Sequence, residues 1–410
     1  MKRRRYTRAE LAPLLQNHLR LTSGRPGGVR AVLRMADLSG LDLSGLNLTE
    51  IDLTGSSLAG AKLVKTTLER ANLFGADLSK ADLRGAILRR ADIRGAKLTG
   101  ADLSLSDMTG ADFREGEIGF ADRSSGLNMM RHDRRPGEAD GAKFVGSTMD
   151  EVRFSGASAA NADFRDCSLK GAKLANANLG NASFIGAILE GADMTGARCQ
   201  GANFNDAILT GVDLTQIVGA RASFDGALKD PVPAAMERRA VLVRMVKDNQ
   251  DWWTSGGVKG QPAILDGADL RVLGAALRGA KLTALSARDA CMAGMVLAGA
   301  QFQGANFEGA DLRGAIFVGC DLRGARFANA RLTKADFRKA QISPLPLPGG
   351  KLRPVDFSGA QLRHATFAGA DLTRAILEGA DVLETDFTGA VLTGALMSDL
   401  IDLEDVAATG

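Results

Sequence analysis

Residues 36–85 read ADLSG LDLSG LNLTE IDLTG SSLAG AKLVK TTLER ANLFG ADLSK ADLRG, an unbroken run of five-residue units. A large apolar residue recurs at every fifth position, from Leu33, Leu38 and Leu43 onward to Leu103, Met108, Phe113 and Ile118. Two positions before each sits a small residue, usually alanine, as at Ala61, Ala71, Ala76, Ala81, Ala86 and Ala91. This period matches neither the helical repeat nor plain strand alternation. It fits a short strand joined to a corner. Within Ala-Asp-Leu the first and third side chains share a face while the Asp points away. The next two residues, typically Ser, Thr or Arg and then Gly, turn the chain. Stacking such units sets alanine on alanine and leucine on leucine around a thin continuous core, so the fold class is an all-β solenoid.

The pattern A-(D/N)-L-x-x resembles that of the pentapeptide-repeat family, over about three quarters of the chain. The resemblance implies a right-handed quadrilateral β-helix with one pentapeptide on each side. Spacing alone leaves the number of sides open; four is what the resemblance supplies.

Breaks in register divide the chain. Residues 1–30 read as a basic tail and an N-terminal cap helix, and residues 31–118 as the first tract. A loop insertion spans 119–141. The second tract, 142–229, is shifted in phase and carries Phe144, Phe164, Leu174, Phe184, Phe204 and Phe224. Residues 230–262 read as a second cap helix and joint. The third tract, 263–410, starts at Leu265 and Leu270, slips by two residues, and runs from Leu277 to Met397. The stretch from Ser343 to Gly350, rich in Pro, keeps phase, because Leu347 and Leu352 fall on the large-residue slot. It reads as a decorated corner.

A longer repeat lies inside the short one. LTSGRPGGVRAVLRMADL at 21–38 aligns without a gap with WTSGGVKGQPAILDGADL at 253–270, an offset of 232. A helix is expected before each. The first places Leu11, Leu14, Leu15, His18 and Leu19 on one stripe, entered through Thr7 and Glu10 as a capping box, with Tyr6 available to staple against Leu11 and Pro13 as an objection. The second spaces Val241, Leu242, Met245, Val246, Asn249, Trp252 and Trp253 for one face. Terminal coils of a solenoid expose strand edges and an apolar cross-section, and an amphipathic helix laid over them covers both.

Composition excludes most chemistry. Three histidines and four cysteines, with no CxxC or Cys/His cluster, leave no metal site, no disulfide framework and no oriented nucleophile. Cys167, Cys199 and Cys320 take inward slots and Cys291 an outward one; reduced thiols suit the cytoplasm. The Asp residues before Leu fill an outward slot and bond nearby backbone. No catalytic residue, cofactor or metal is expected, and the protein reads as no enzyme. Without a run of about 18 apolar residues, no membrane insertion is expected. The basic start is followed by an interrupted apolar stretch from Leu11 to Leu21, unlike a signal peptide.

Lys2, Arg3, Arg4, Arg5 and Arg8 carry five of the positive charges, so a net charge of +3 leaves a body near −2. A near-neutral body disfavours a nucleic-acid partner. The leading expectation is a noncatalytic scaffold presenting a rigid surface to a protein partner. The candidate contacts are Arg131, His132, Arg134 and Arg135 in the loop insertion and Trp252 and Trp253 in the second helix. The alternative comes from the resemblance: some members that confer quinolone resistance bind DNA gyrase by imitating duplex DNA in shape and negative charge. Against it stand the near-neutral body, outward bases such as Arg84, Arg89, Arg90, Arg94 and Lys97, and a short acidic tail from Ser398 to Val406 in place of a long C-terminal helix. A third reading makes the basic start a weak electrostatic tether to anionic membrane or nucleic acid.

Overall fold

The computed structural model describes residues 3–122 and 129–397; the side chains of Arg8 and of residues 118–133 lie outside that description. The chain forms two units, Met1–Asp230 and Pro231–Gly410. In both, the second residue of the pentapeptide, the Asp of Ala-Asp-Leu, as a rule forms a parallel bridge to the residue 20 further on, as in Val32–Asp52–Asn72–Asp92–Asp112. Twenty residues at a period of five make four sides to a coil.

The hydrogen bonds explain why the unit is so short. Leu58 N donates to Asp77 O at 2.6 Å, and Asp77 N donates back to Ser56 O at 2.9 Å. Ala61 N then donates to Leu58 O at 2.9 Å, closing a turn whose third residue, Gly60, has φ +63°. That left-handed corner suits glycine, and Lys65 and Arg70 adopt it as well, at φ +53° each. Such residues cost about 1–2 kcal/mol apiece, offset by the bonds that hold the corner.

Alanine and the large apolar residue are buried together, for example Ala61 and Leu63 at 0% exposure. Where Phe replaces Leu, coil stacking places rings in ladders. Phe144, Phe164, Phe184, Phe204 and Phe224 stack at 4.7–5.1 Å with planes within 4°. That distance is the strand spacing itself. In the second unit two ladders meet edge to face: Phe327–Phe337 lie 5.9 Å apart at 87°.

Bridge offsets account for the phase shifts within each unit. Lys97 pairs with Glu138, an offset of 41, so 21 residues are extra and the phase moves by one. The excess is a hairpin of β3 (Gly116–Asp122) against β4 (Met129–Arg135); its expected turn, beginning at Asp122, lies largely outside the described residues. Ile264 pairs with Ser286, an offset of 22, which is the slip of two; the surplus forms a 3-10 stretch at Leu270–Leu277. Arg326 pairs with Asp356, an offset of 30, so ten residues loop out while phase is kept. They form β5 (Leu345–Pro346) and β6 (Leu352–Arg353). Leu347 and Leu352 therefore do not fill core slots, and Leu352 is 48% exposed. Phase survived because ten is a multiple of five.

The first helix, α1 (Arg8–Thr22), follows β1 (Arg4–Arg5). Its capping box forms, with Glu10 N donating to Thr7 Oγ1 at 3.3 Å and Thr7 N to Glu10 Oε2 at 2.9 Å. Pro13 sits inside the helix without ending it, on the exposed side, where water reaches the carbonyl that loses its bond. Leu11 and His18 are buried and Leu15 half-buried, whereas Leu14 is exposed, so the stripe is narrower than expected. Within the basic start, Arg4 and Arg5 form a short strand. β1 pairs in parallel with β2 (Ala36–Asp37), and Arg3 Nε donates to Gly55 O at 3.1 Å.

In the second unit α2 (Pro233–Glu237) leads into α3 (Arg239–Thr254), which buries Leu242, Val246 and Asn249 and leaves Val241 and Trp253 exposed. Both long helices end at the duplicated Thr-Ser-Gly. A Cβ at Gly28 would lie 2.2 Å from Leu21 N, and one at Gly260 would lie 2.0 Å from Asp248 O. The duplicated glycines are thus required by close passage of the chain past its own helix.

Two outcomes follow. Phe164→Ala removes a ring stacked on both neighbours and lowers unfolding stability by about 3–5 kcal/mol, whereas Asp82→Ala, which breaks an exposed ion pair, costs under about 1 kcal/mol; urea unfolding followed by circular dichroism measures both. Deleting residues 116–136 removes the surplus and restores the 20-residue register across the join, so the shortened chain folds with an unchanged far-ultraviolet spectrum.

Candidate interaction surface

The outward face is built from the second and fourth residues of each repeat. The corner turns the fourth side chain back toward the second. In Ala-Asp-Leu-Arg-Gly units this closes a fork: Arg84 donates to Asp82 through Nε at 2.9 Å and Nη2 at 2.8 Å. The same pairing joins Arg94 to Asp92, Arg114 to Asp112, Arg165 to Asp163, Arg323 to Asp321 and Arg338 to Asp336. Each Asp also accepts from the backbone N–H two residues on, as Asp82 does from Arg84 N at 3.3 Å. The forks lie at the surface, those of Arg94 and Arg323 half-buried and the other four exposed, and the exposed ones add little stability. Their effect is on the field, since each outward base on these corners is neutralised within its own repeat.

A depression of about 400 Å³ at the root of the first hairpin shows the balance. Its walls carry Arg90, Arg94 and Arg153 beside Asp92, Asp112 and Glu151. Burial raises the pKa of Asp112, but the hydrogen bonds and charge of Arg114 outweigh it and leave the carboxyl below its ordinary range. Three cations against three anions give no preference for a charged ligand.

The hairpin is anchored at that root. Gly116 backs against Phe74 and the Arg94 carbonyl, and the Arg94 guanidinium lies 5.3 Å from the Phe74 ring centre. Phe74 holds the slot after Leu73, where the flanking repeats carry Ala59, Val64, Glu69, Ser79 and Arg84. An aromatic in an outward slot is the sequence signal that would have marked this base. Sequence reasoning passed over it.

Of the expected contacts, Arg131, His132, Arg134 and Arg135 lie on β4, opposite Phe120, Gly119, Glu117 and Gly116 respectively. The side chains of Arg131 and His132 lie outside the described residues. Arg134 is exposed, with Nη1 4.0 Å from Glu115 Oε1, and Arg135 is exposed. Trp252 and Trp253 end α3 in the other unit; Trp252 is half-buried and Trp253 is 41% exposed. The expected acidic tail, Ser398 to Val406, lies outside the described residues.

The cysteines offer no reactive thiol. Cys167 Sγ donates to Phe144 O and Cys320 Sγ to Leu297 O, bonds that Thr66 makes to Leu43 O from the equivalent slot. Burial pushes Cys199 and Cys320 up to about 12 and Cys291 up to about 11. Among the described residues no group of His, Cys, Asp and Glu is placed to hold a metal ion, and no helix is long and apolar enough to cross a membrane.

The profile of pentapeptide repeats matches eight stretches: residues 51–90, 86–117, 140–171, 162–198, 197–227, 275–314, 305–343 and 356–394. The chain belongs to the pentapeptide repeat family. Members fold as right-handed quadrilateral β-helices and are in general noncatalytic structural and interaction proteins. The gaps between matches fall on the two hairpins and on the helical joint.

Solved structures similar to this pentapeptide repeat protein include three relatives. Rfr23 from the cyanobacterium Cyanothece 51142 is 24% identical over 32% of this chain and 87% of its own, with a TM-score of 0.21. HetL from Nostoc sp. strain PCC 7120, involved in heterocyst differentiation regulation, is 17% identical over 96% of this chain and 98% of its own, with a TM-score of 0.17. QnrB1, a plasmid-mediated fluoroquinolone resistance protein, is 20% identical over 48% of this chain and 95% of its own, with a TM-score of 0.21. No curated protein matches.

Thiol chemistry tests this surface. At pH 8 the native chain should take up iodoacetamide at Cys199, Cys291 and Cys320 at least about a hundredfold more slowly than the urea-unfolded chain, as mass spectrometry of the labelled peptides would read.

Proposed function

We propose that this pentapeptide repeat protein is a noncatalytic interaction scaffold, a rigid β-helix that holds the β3–β4 hairpin toward a protein partner. The carrying observation is the hairpin itself, 21 surplus residues in the otherwise regular 20-residue register of the first unit, rooted on Phe74 and Arg94. Loops on regular scaffolds are the usual place for recognition. Arg131, His132, Arg134 and Arg135 are its assigned contacts, and Trp252 and Trp253 form a separate candidate patch on α3. The assigned compartment is the cytoplasm. The test is affinity purification from native cells with the intact chain and with residues 116–136 deleted. A partner captured by the first and lost from the second supports the reading; an identical partner list overturns the role of the hairpin.

The DNA-mimicking alternative needs a predominantly negative outer face, and the internal Asp–Arg forks oppose it. Purified protein at micromolar concentration should leave gyrase supercoiling unchanged, with and without a fluoroquinolone. Inhibition or protection in that assay would restore the alternative.

We further infer that α1 and α3 cap their units. Leu11 and Leu242 are buried at 3% and 2%, each within the core of its own unit. Leu11→Asp and Leu242→Asp should each produce concentration-dependent association in light scattering, because the uncovered coil presents unpaired edges and apolar surface.

A further inference from the structure

The two helices dock through one device built from different residues. On α1 the inward positions are Leu11, Leu15 and His18; on α3 they are Leu242, Val246 and Asn249, with the same spacing of four and three. The last residue of each set is 0% exposed. Each accepts a hydrogen bond from the backbone N–H that opens the first coil: Ala31 N donates to His18 Nδ1 at 3.2 Å, and Ala263 N donates to Asn249 Oδ1 at 3.0 Å. Asn249 also donates through Nδ2 to Thr283 O at 3.1 Å. His18 Nε2 is buried with no hydrogen-bond partner, while the backbone of Leu48 and Thr49 lies alongside the ring.

We propose that docking of α1 is a proton-sensitive latch worked by His18, and that docking of α3, held by the amide of Asn249, is its proton-insensitive counterpart. The acceptor role requires neutral imidazole. In imidazolium both nitrogens donate, so Nδ1–H would point at the Ala31 N–H and that bond would be lost. Burial holds His18 below its ordinary value, and the Arg30 guanidinium adds to this. The backbone of Leu48 and Thr49 and the Glu50 carboxylate act the other way without overcoming it. On α1 itself the positions three and four away are Leu14, Leu15, Leu21 and Thr22, none of which titrates. The sign follows: above about pH 6.5 docked and undocked forms are both neutral and docking is at full strength. As pH falls below that value the undocked form takes up a proton first, and docking weakens by up to about tenfold per pH unit.

The test is amide hydrogen exchange of the full-length chain between about pH 7.5 and pH 5, corrected for intrinsic rates. Protection of residues 11–31, taken relative to residues 60–110, should fall by about tenfold or more, while that of residues 242–263 holds. His18→Asn should abolish the fall, and Asn249→His should transfer it to residues 242–263. A flat wild-type ratio, or a fall that persists in His18→Asn, overturns the latch. Should His18→Asn leave α1 unprotected at every pH, the wild-type profile and Asn249→His decide: a transferred fall supports the latch, and its absence overturns it.

Discussion

The parallel bridge between residues 20 apart carries everything else in this molecule. It consists of two backbone hydrogen bonds per side, such as those joining Leu58, Asp77 and Ser56, and it fixes the distance between coils. Because that distance is the strand spacing, a side chain in one coil meets its counterpart in the next at van der Waals contact. Leucine lies on leucine, alanine on alanine, and phenylalanine in ladders such as Phe144 to Phe224. No wide core is required, which is why a chain of 410 residues manages with 5% aromatic content.

The same register explains how the protein tolerates additions. A surplus is accepted wherever the chain can leave a corner and return to it, as the first hairpin does between Phe113 and Gly137. The second hairpin does the same over Gly324, where a Cβ would stand 2.6 Å from Leu345 Cβ. The scaffold is thus indifferent to what it displays. Electrostatics points the same way. With Arg84, Arg94, Arg114, Arg165, Arg323 and Arg338 folded onto their own aspartates, those corners project little field.

Much of the fold was legible from the five-residue pattern around Ala36–Gly85, down to the buried slots and the positions of the breaks. The candidate surface was legible only as a location. Arg134 and Arg135 were marked by charge, but the root that holds them, Phe74 against Arg94 and Gly116, brings together residues some forty apart in sequence. Leu347 and Leu352 misled for a related reason: their spacing satisfied the repeat, while the bonds of Arg326 to Asp356 passed them by. Periodicity records where a residue is allowed, and bridging decides whether the coil uses it.

The sequence alone determined that this chain is a solenoid of five-residue units, interrupted and twice begun by a helix, because burial of every fifth side chain is a local rule. Tertiary structure decided the closure at four sides, since only the 20-residue bridge counts the corners. It also decided which residues are equivalent between the two helices. Gapless alignment at an offset of 232 sets His18 against Gln250, whereas the docked helices set it against Asn249. The physical reason is that a buried acceptor is selected by its distance to one backbone N–H on the first coil, and that distance is not written in the spacing along the chain.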